Sequence, residues 1–586
     1  MIKILLNILF SALFITSAFA QTDNNWTTYF ESSNYKQSPD YNNSIKYLKR
    51  LEKISEYAKL VPFGISPQGR TLYTFIISKD KIFNYNELKN SPKSKMLINC
   101  GIHSGEIEGK DAAILLARDL LIEKKYNDLL DNTILIIIPV FNVDGHERIS
   151  KYNRINQNGP EEMGWRTTAQ NLNLNRDFMK ADAPEMKAFL KLWNDINPDF
   201  FVDLHTTDGL DMQYELTYSI EKISVSPMLR NWITKSFEPT FESLMLKDGY
   251  PLFKYFGFKG KELTDGVVEW NSSPRFSHGY SSMRGVPGVL IETHSLKPFK
   301  NRVYATYFAL LNMMKIVSQN QTQLTEQKKE SYNWFIDNFV IGDKRFPINH
   351  ELLNKSYKTD FLGYETYLEK SEITGDSIIR YTKTPKTFSL DYYTEYKTTD
   401  SLKLPKYYII PAQFGYLKEI IELHGITFTV NKTSKKVIGE FYKFSDVKLS
   451  PRSFEGRQLP SYKVNEFSKE FTINANDLII STNQKNFIPL LYLLEPKSPD
   501  SFLKWGFLNS IFEQKEYFED YSMEPIAKEM LEKDNKLKVE FERKLAEDEK
   551  FRNNPYQRLN FIYERSPYYD SNLNVYPIYK VDSELK

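Results

Sequence analysis

Residues 96–121 read MLINCGIHSGEIEGKDAAILLARDLL. The opening MLIN has the length and apolar character of a buried strand, and from Asp111 to Leu121 apolar side chains recur at helical spacing. GIHSGEIEGK, residues 101–110, is therefore the turn at a strand's carboxyl end. In open α/β sheets such turns are held by a rigid frame, face a crevice and collect ligands. His103 and Glu106, three apart in that turn, can converge on one point. Imidazole nitrogen and carboxylate oxygen are two of the ligand types zinc takes, and a catalytic zinc needs three protein ligands plus an open position. A polar pair in an ordinary surface turn reads the same way, so the rest of the chain has to decide.

Outward from this stretch the same alternation continues. A helix is expected over 44–60, then a strand in RTLYTFIIS and another over 133–140. Next come the helix PEMKAFLKLWNDI, the strand FFVDLH, a helix over 226–247, the strand GVLIET and a helix over 303–317. Apolar, β-branched runs alternating with helices imply an α/β fold: a mixed, mostly parallel sheet with helices on both faces. The pattern stops near Ser318, and residues 321–344 read as a linker or helical connection. Residues 345–500 show short alternating stretches such as TFSLDYYTEY and KYYIIP between turn signals, as a β-rich accessory domain would. From 501 to 586 the chain turns charged and helical.

Composition narrows the class. With 77 Lys+Arg against 75 Asp+Glu, nothing in the charge calls for nucleic acid or an anionic membrane. The 15% aromatic content suits a packed, strand-rich chain. Residues 1–20, MIKILLNILFSALFITSAFA, read as a secretory signal peptide ending in a small-x-small cleavage site. Residues 21–320 then form the α/β domain of a protein expected to have a periplasmic or extracellular destination and no transmembrane segment in its mature chain. Cys100 stands alone, which excludes an intramolecular disulfide, and reads as a small buried apolar residue.

Reactive side chains gather at the ends of these elements. FFVDLH delivers His205, GVLIET delivers Glu292, and NLNLNRDF places Asn175 and Arg176 in a polar turn. Taken singly, His205 also reads as a core histidine, Glu292 as a charged strand end and Arg176 as half of a surface ion pair. Their joint placement on one sheet changes the weighing. In this combination the segment 41–317 resembles the zinc carboxypeptidases, the M14 metallopeptidases, with separated motifs in the family's order.

The resemblance implies one zinc per chain, held by His103, Glu106 and His205, with Glu292 as general base. It implies that Asn175 and Arg176 grip a substrate's terminal carboxylate and that Arg166, in GWRTTAQ, polarises the scissile carbonyl. Tyr280, in SHGYSSMRG, is the nearest candidate for the family's mobile tyrosine. The expected activity is removal of a C-terminal residue from peptides. Two alternatives stay open: a zinc amidase or deacylase acting on acylated amino acids or cell-wall peptides, and a binding protein that keeps the fold without turnover.

Departures accompany the match. Where the family commonly has an aspartate supporting the first zinc histidine, this chain has Asn173, whose amide can still accept a ring N–H. His294, two residues past Glu292, shares its strand face and reads either as a substrate contact or as a structural histidine. Asp203 shares a face with His205 by the same alternation, and His146 in NVDGHER is a decoy for the third ligand. The second half carries no chemical motif. Its long apolar stretches, such as NFIPLLYLLEP, lead us to expect it to pack against the catalytic half and restrict access to the site.

Overall fold

A computed structural model describes residues 25–585. The signal peptide expected over 1–20 lies outside the described residues. An eight-stranded mixed sheet organises the first half. Its strands are β1 (Ala58–Ile65), β2 (Thr71–Ile77), β3 (Ser94–Cys100), β4 (Thr133–Ile138), β5 (Phe200–Thr207), β6 (Leu216–Ile220), β7 (Phe253–Lys254) and β8 (Gly288–His294). Their order is β1-β2-β4-β3-β5-β8-β6-β7. The parallel centre β4-β3-β5-β8 is flanked by antiparallel pairings, β2 to β4 on one side and β8 to β6 on the other.

Alternation along the central strands builds a core on each face. Met96, Ile98 and Cys100 of β3 point into one core, with Leu135 and Ile137 of β4. There the helices Tyr41–Ile54, Glu108–Leu121 and Phe299–Gln319 cover the sheet. Leu97 of β3 joins Ile134, Ile136 and Ile138 in the opposite core, beneath the helix Pro184–Ile196. Strands buried on both faces carry apolar side chains facing both cores, which is why Met96–Ile98 of β3 and Ile134–Ile138 of β4 read as continuous apolar runs.

The helix expected over 226–247 is interrupted. A π-helical stretch at Ile233–Phe237 separates Pro227–Trp232 from Glu238–Lys247. Pro239 lies just past it; a proline there lacks an N–H and crowds the carbonyl four residues back, and a π-turn relieves both faults.

Residues 321–340 are helical, as Gln321–Phe335 followed by a π-turn at Ile336–Val340. Beyond them the chain is β-rich, but not in the short strands that the turn signals suggest. Two hairpins are long: Ser356–Lys370 with Ser377–Tyr393, and Lys435–Leu449 with Pro460–Ile473. Much of the first hairpin is exposed on both faces, so no buried layer limits its length. The helix Phe487–Leu494, FIPLLYLL, is buried throughout.

The core beneath Pro184–Ile196 does not end with the first half. Trp193 and Phe189 share it with Phe346, Tyr408, Ile410, Leu490, Leu494, Tyr576 and Ile578. The helices of the C-terminal segment gather a small core of their own around Met523, Leu537, Phe551 and Phe561. The chain then returns as Tyr579–Val581, which pairs with Tyr407–Ile410.

Candidate metal centre and substrate cleft

The turn after β3 begins at Gly101, whose φ of +67° lies in the left-handed region that a glycine enters without strain. It folds the chain back so that His103 and Glu106 face one point, with the helix Glu108–Leu121 starting just beyond. His205, near the end of β5, completes the group. His103 Nδ1 lies 3.1 Å from Glu106 Oε2, His205 Nδ1 lies 3.0 Å from the same oxygen, and the two Nδ1 atoms are 3.2 Å apart. All three side chains are buried. This is a nearly equilateral triangle of two nitrogens and one oxygen. Tetrahedral zinc with bonds of about 2.0–2.1 Å sets its ligand atoms roughly 3.3–3.4 Å apart, so the donor set suits that ion in both type and spacing.

Each imidazole is held from behind. Asn173 Oδ1 lies 3.0 Å from His103 Nε2, and Asp203 Oδ2 lies 2.7 Å from His205 Nε2. Such partners fix the ring orientation and leave the opposite nitrogen for a metal. Asp203 is itself anchored by Asn99 Nδ2 at 2.9 Å across the β3–β5 pairing. Burial pushes the His103 imidazolium down to about 4, against the pull of Glu106, which leaves the ring neutral as a ligand must be. At His205 burial also opposes charge, but Asp203 and Glu106 outweigh it and hold the ring well above the ordinary histidine range. That ring must shed a proton when it ligates a metal.

Glu292 stands opposite His205 in the register of β8 against β5. Its carboxyl accepts no hydrogen bond from a described residue and is 9% exposed. Burial, with the like charges of Glu106 and Asp203, raises it to about 8, while His205 and Arg166 oppose the rise. Two arginines reach the far oxygen of Glu106: Arg166 Nη1 and Arg154 Nη2 each lie 3.0 Å from Oε1. Gly105 leaves the room for Arg154, since a Cβ there would meet its Cγ at 2.6 Å.

Asn175 and Arg176 follow Asn173 in a short 3-10 turn beside these groups. Asn175 Oδ1 accepts the Ser277 N–H at 3.1 Å, and its Nδ2 lies 3.4 Å from His205 Nε2. Arg176 stacks 4.3 Å above the Phe276 ring, donates to the Asn175 carbonyl and makes no ion pair among the described residues. Tyr280 is not brought here. It is fully buried in the core beside Phe178 and Trp193, bonded to Arg284 at 2.7 Å and 3.2 Å from His424 Nδ1. His294 is buried against Leu296 and Asp211, and His146 lies on Lys110 and Glu147 behind the turn.

Two residues in the cleft escaped the sequence reading. Arg154 sits in the polar stretch KYNRINQNGP, which carries no apolar period or motif to single it out. Tyr255 lies beside Thr207 and within the fields of Glu292, Glu106 and Arg176; burial above all keeps its hydroxyl protonated. It lines a cavity of about 160 Å³ with Asp208, Met212 and Thr217. Short strand pieces surround Tyr255 in sequence, too brief for periodicity to place it.

Residues 44–237 match the sequence model of the zinc carboxypeptidase family. Over 147 residues the chain is 31% identical to carboxypeptidase Z of Gallus gallus, a match spanning 24% of this chain and 21% of that protein. Among solved structures, a metallo-carboxypeptidase from Burkholderia cenocepacia aligns at 17% identity and a TM-score of 0.36, covering 48% of this chain and 69% of that one. A metallo-carboxypeptidase from Pseudomonas aeruginosa, in complex with (2-guanidinoethylmercapto)succinic acid, aligns at 14% identity and a TM-score of 0.36, covering 49% and 69%. The first half of this chain carries a zinc carboxypeptidase region.

Proposed function

We propose that this chain is a secreted zinc metallocarboxypeptidase that hydrolyses the C-terminal peptide bond of peptides. The observation that carries the reading is the triangle of His103 Nδ1, Glu106 Oε2 and His205 Nδ1, with Glu292 in register beside it. His103, Glu106 and His205 would hold a zinc ion, which would supply Lewis acidity and lower the pKa of a bound water toward neutrality.

The remaining roles fall to the chain's own groups. Glu292, buried and without a hydrogen-bond partner, takes the proton from the attacking water and passes it to the departing amine. Arg166 or Arg154 polarises the scissile carbonyl; removing a donor to a developing oxyanion typically costs about 3–4 kcal/mol in the barrier. Arg176, in no ion pair among the described residues and stiffened by Phe276, takes the substrate's terminal carboxylate in paired hydrogen bonds. Tyr255 offers a neutral hydroxyl donor facing the same space.

The test is a pair of peptides identical except for a free or an amidated C-terminus. Cleavage of the free form alone supports the exopeptidase reading. Equal rates on both would move the assignment to an amidase, because Arg176 would then have no carboxylate to grip.

A further inference from the structure

One loop of the second half touches the residue that supports His103. Residues 450–459 join the strands Lys435–Leu449 and Pro460–Ile473 and lie against the catalytic half. Arg457 seats the loop: it bonds both oxygens of Asp182, with Nε 3.0 Å from Oδ2, and lies 3.6 Å over the Phe507 ring. Phe454 stacks on Trp505, with ring centroids 6.1 Å apart and planes 12° from parallel. Trp505 in turn lies under Arg275, which pairs with Asp500 at 2.6 Å. The loop is clamped by contacts across the two halves.

At its tip, Glu455 and Gly456 both take left-handed backbone angles, φ +50° and +77°. A non-glycine residue there is uncommon and marks a turn held by its surroundings. Here it aims the half-buried Glu455 at the catalytic half. Glu455 Oε2 accepts the backbone N–H of Asn173 at 3.3 Å, the residue whose side chain holds His103. Arg176 is three residues further on. Burial and the nearby cations Arg166 and Arg275 weigh against its charge, and Glu455 is the carboxylate that favours it.

Arg154 and Arg166 are already paired with Glu106 and Arg275 with Asp500, so Arg176 is the cation of this group without an ion pair among the described residues, and a nearby carboxylate decides which side chains it tolerates beside a terminal carboxylate. We propose that Glu455 is a specificity-determining residue: its carboxylate sets a negative charge in the wall beside Arg176, favouring peptides with a basic side chain next to the cleaved bond over peptides with an acidic one. The proposal rests on the carboxypeptidase reading and names the substrate class of that site. Glu455 stays clear of the metal ligands and acts on side-chain choice, not on the bond-breaking step.

The test uses the full-length, zinc-loaded protein and blocked peptides that differ only in carrying Lys, norleucine or Glu at the last or the penultimate position. Wild type is expected to order kcat/KM as Lys, norleucine, Glu at one of the two positions. Glu455→Gln keeps an acceptor for the Asn173 N–H but removes the charge. It should shrink the Lys-to-Glu ratio roughly tenfold, mainly through KM, the order expected when a charge reverses its sign beside a partly exposed carboxylate. Glu455→Lys should invert the order. Ratios unchanged in both variants overturn the proposal.

Calorimetric binding of the same peptides to the zinc-loaded Glu292→Gln protein, with and without Glu455→Gln, separates this claim from the reading beneath it. Charge-dependent binding that vanishes with Glu455→Gln supports the proposal even where wild type cleaves none of the peptides, a result that would sink the hydrolase reading alone. Binding indifferent to Lys or Glu overturns the proposal whatever the turnover.

Discussion

Glu185 shows how much a single buried carboxyl can govern. It follows Pro184 at the start of the helix Pro184–Ile196, is fully buried, and neither side-chain oxygen has a hydrogen-bond partner. Burial, with Asp144 and Asp177 nearby, raises it to about 7. The folded state therefore holds a proton on Glu185 that the unfolded state has released between about pH 4.5 and 7. Its contribution is most favourable at low pH and declines as pH rises through that window, by an amount on the order of 3 kcal/mol. Glu185→Gln should remove this loss. The thermal midpoint of the variant is expected to exceed wild type at pH 8 and to approach it at pH 5. An equal offset at both values would show that Glu185 does not titrate there.

The residues of the centre were open to a reader of the sequence because each ends a strand or opens a turn. His103, Glu106, His205 and Glu292 carry unusual chemistry at positions that apolar runs mark out. Tyr255 and Arg154 were hidden for a physical reason: both sit in irregular chain, brought to the cleft by tertiary packing and not by a period. Tyr280 misled because it lies in a polar-looking stretch, SHGYSSMRG, whose helix Ser277–Met283 is in fact wholly buried.

Among the elements, the helices Phe299–Gln319 and Glu108–Leu121 are joined by one charged contact. Arg302 is fully buried; its Nε bonds Glu108, and its Nη1 donates to the carbonyls of Asn158, Ser295 and Lys297. The same guanidinium thus ties the first turn after the loop that carries His103 and Glu106 to the end of β8. Arg302→Met removes the charge but leaves Glu108 buried and unpaired, which typically costs about 3–5 kcal/mol. We expect a lower thermal midpoint and weaker zinc retention together. A midpoint within a degree of wild type would mean that water or another donor replaces the pair.

The central strands and their covering helices in the first half were legible from continuous apolar runs and helical repeats. The helix expected over 44–60, however, stops at Ile54, and its last residues open β1, Ala58–Ile65. The short strands β6 and β7 left no period to read. The long hairpins of the second half were not legible either. Their strands are exposed over much of their length, so no alternation of buried and open faces distinguishes one long strand from two short ones.

For the whole molecule, the shared core decides how far the halves are independent. Trp193, Phe189 and Leu190 of the catalytic half pack in one cluster with Leu490, Leu491, Tyr576 and Ile578 of the second. His424 of the second half, buried, bonds the Met179 carbonyl at 3.0 Å and faces Tyr280. A fragment spanning 21–321 would expose this apolar layer to water. It should aggregate or express insolubly, and light scattering of the purified fragment checks this. A soluble fragment with unchanged activity on peptides and proteins alike would show that the second half neither stabilises nor gates the site.

The central claim is that three side chains form a zinc site and a fourth works on the substrate beside it. Metal analysis of three purified proteins addresses it directly. Wild type is expected to carry about one zinc per chain, and His205→Ala to lose both metal and peptidase activity. Glu292→Gln should keep its zinc while activity falls by about 10²–10⁴-fold. Equal zinc in wild type and His205→Ala would contradict the assigned ligand set, and full activity in Glu292→Gln would contradict the role given to the carboxylate.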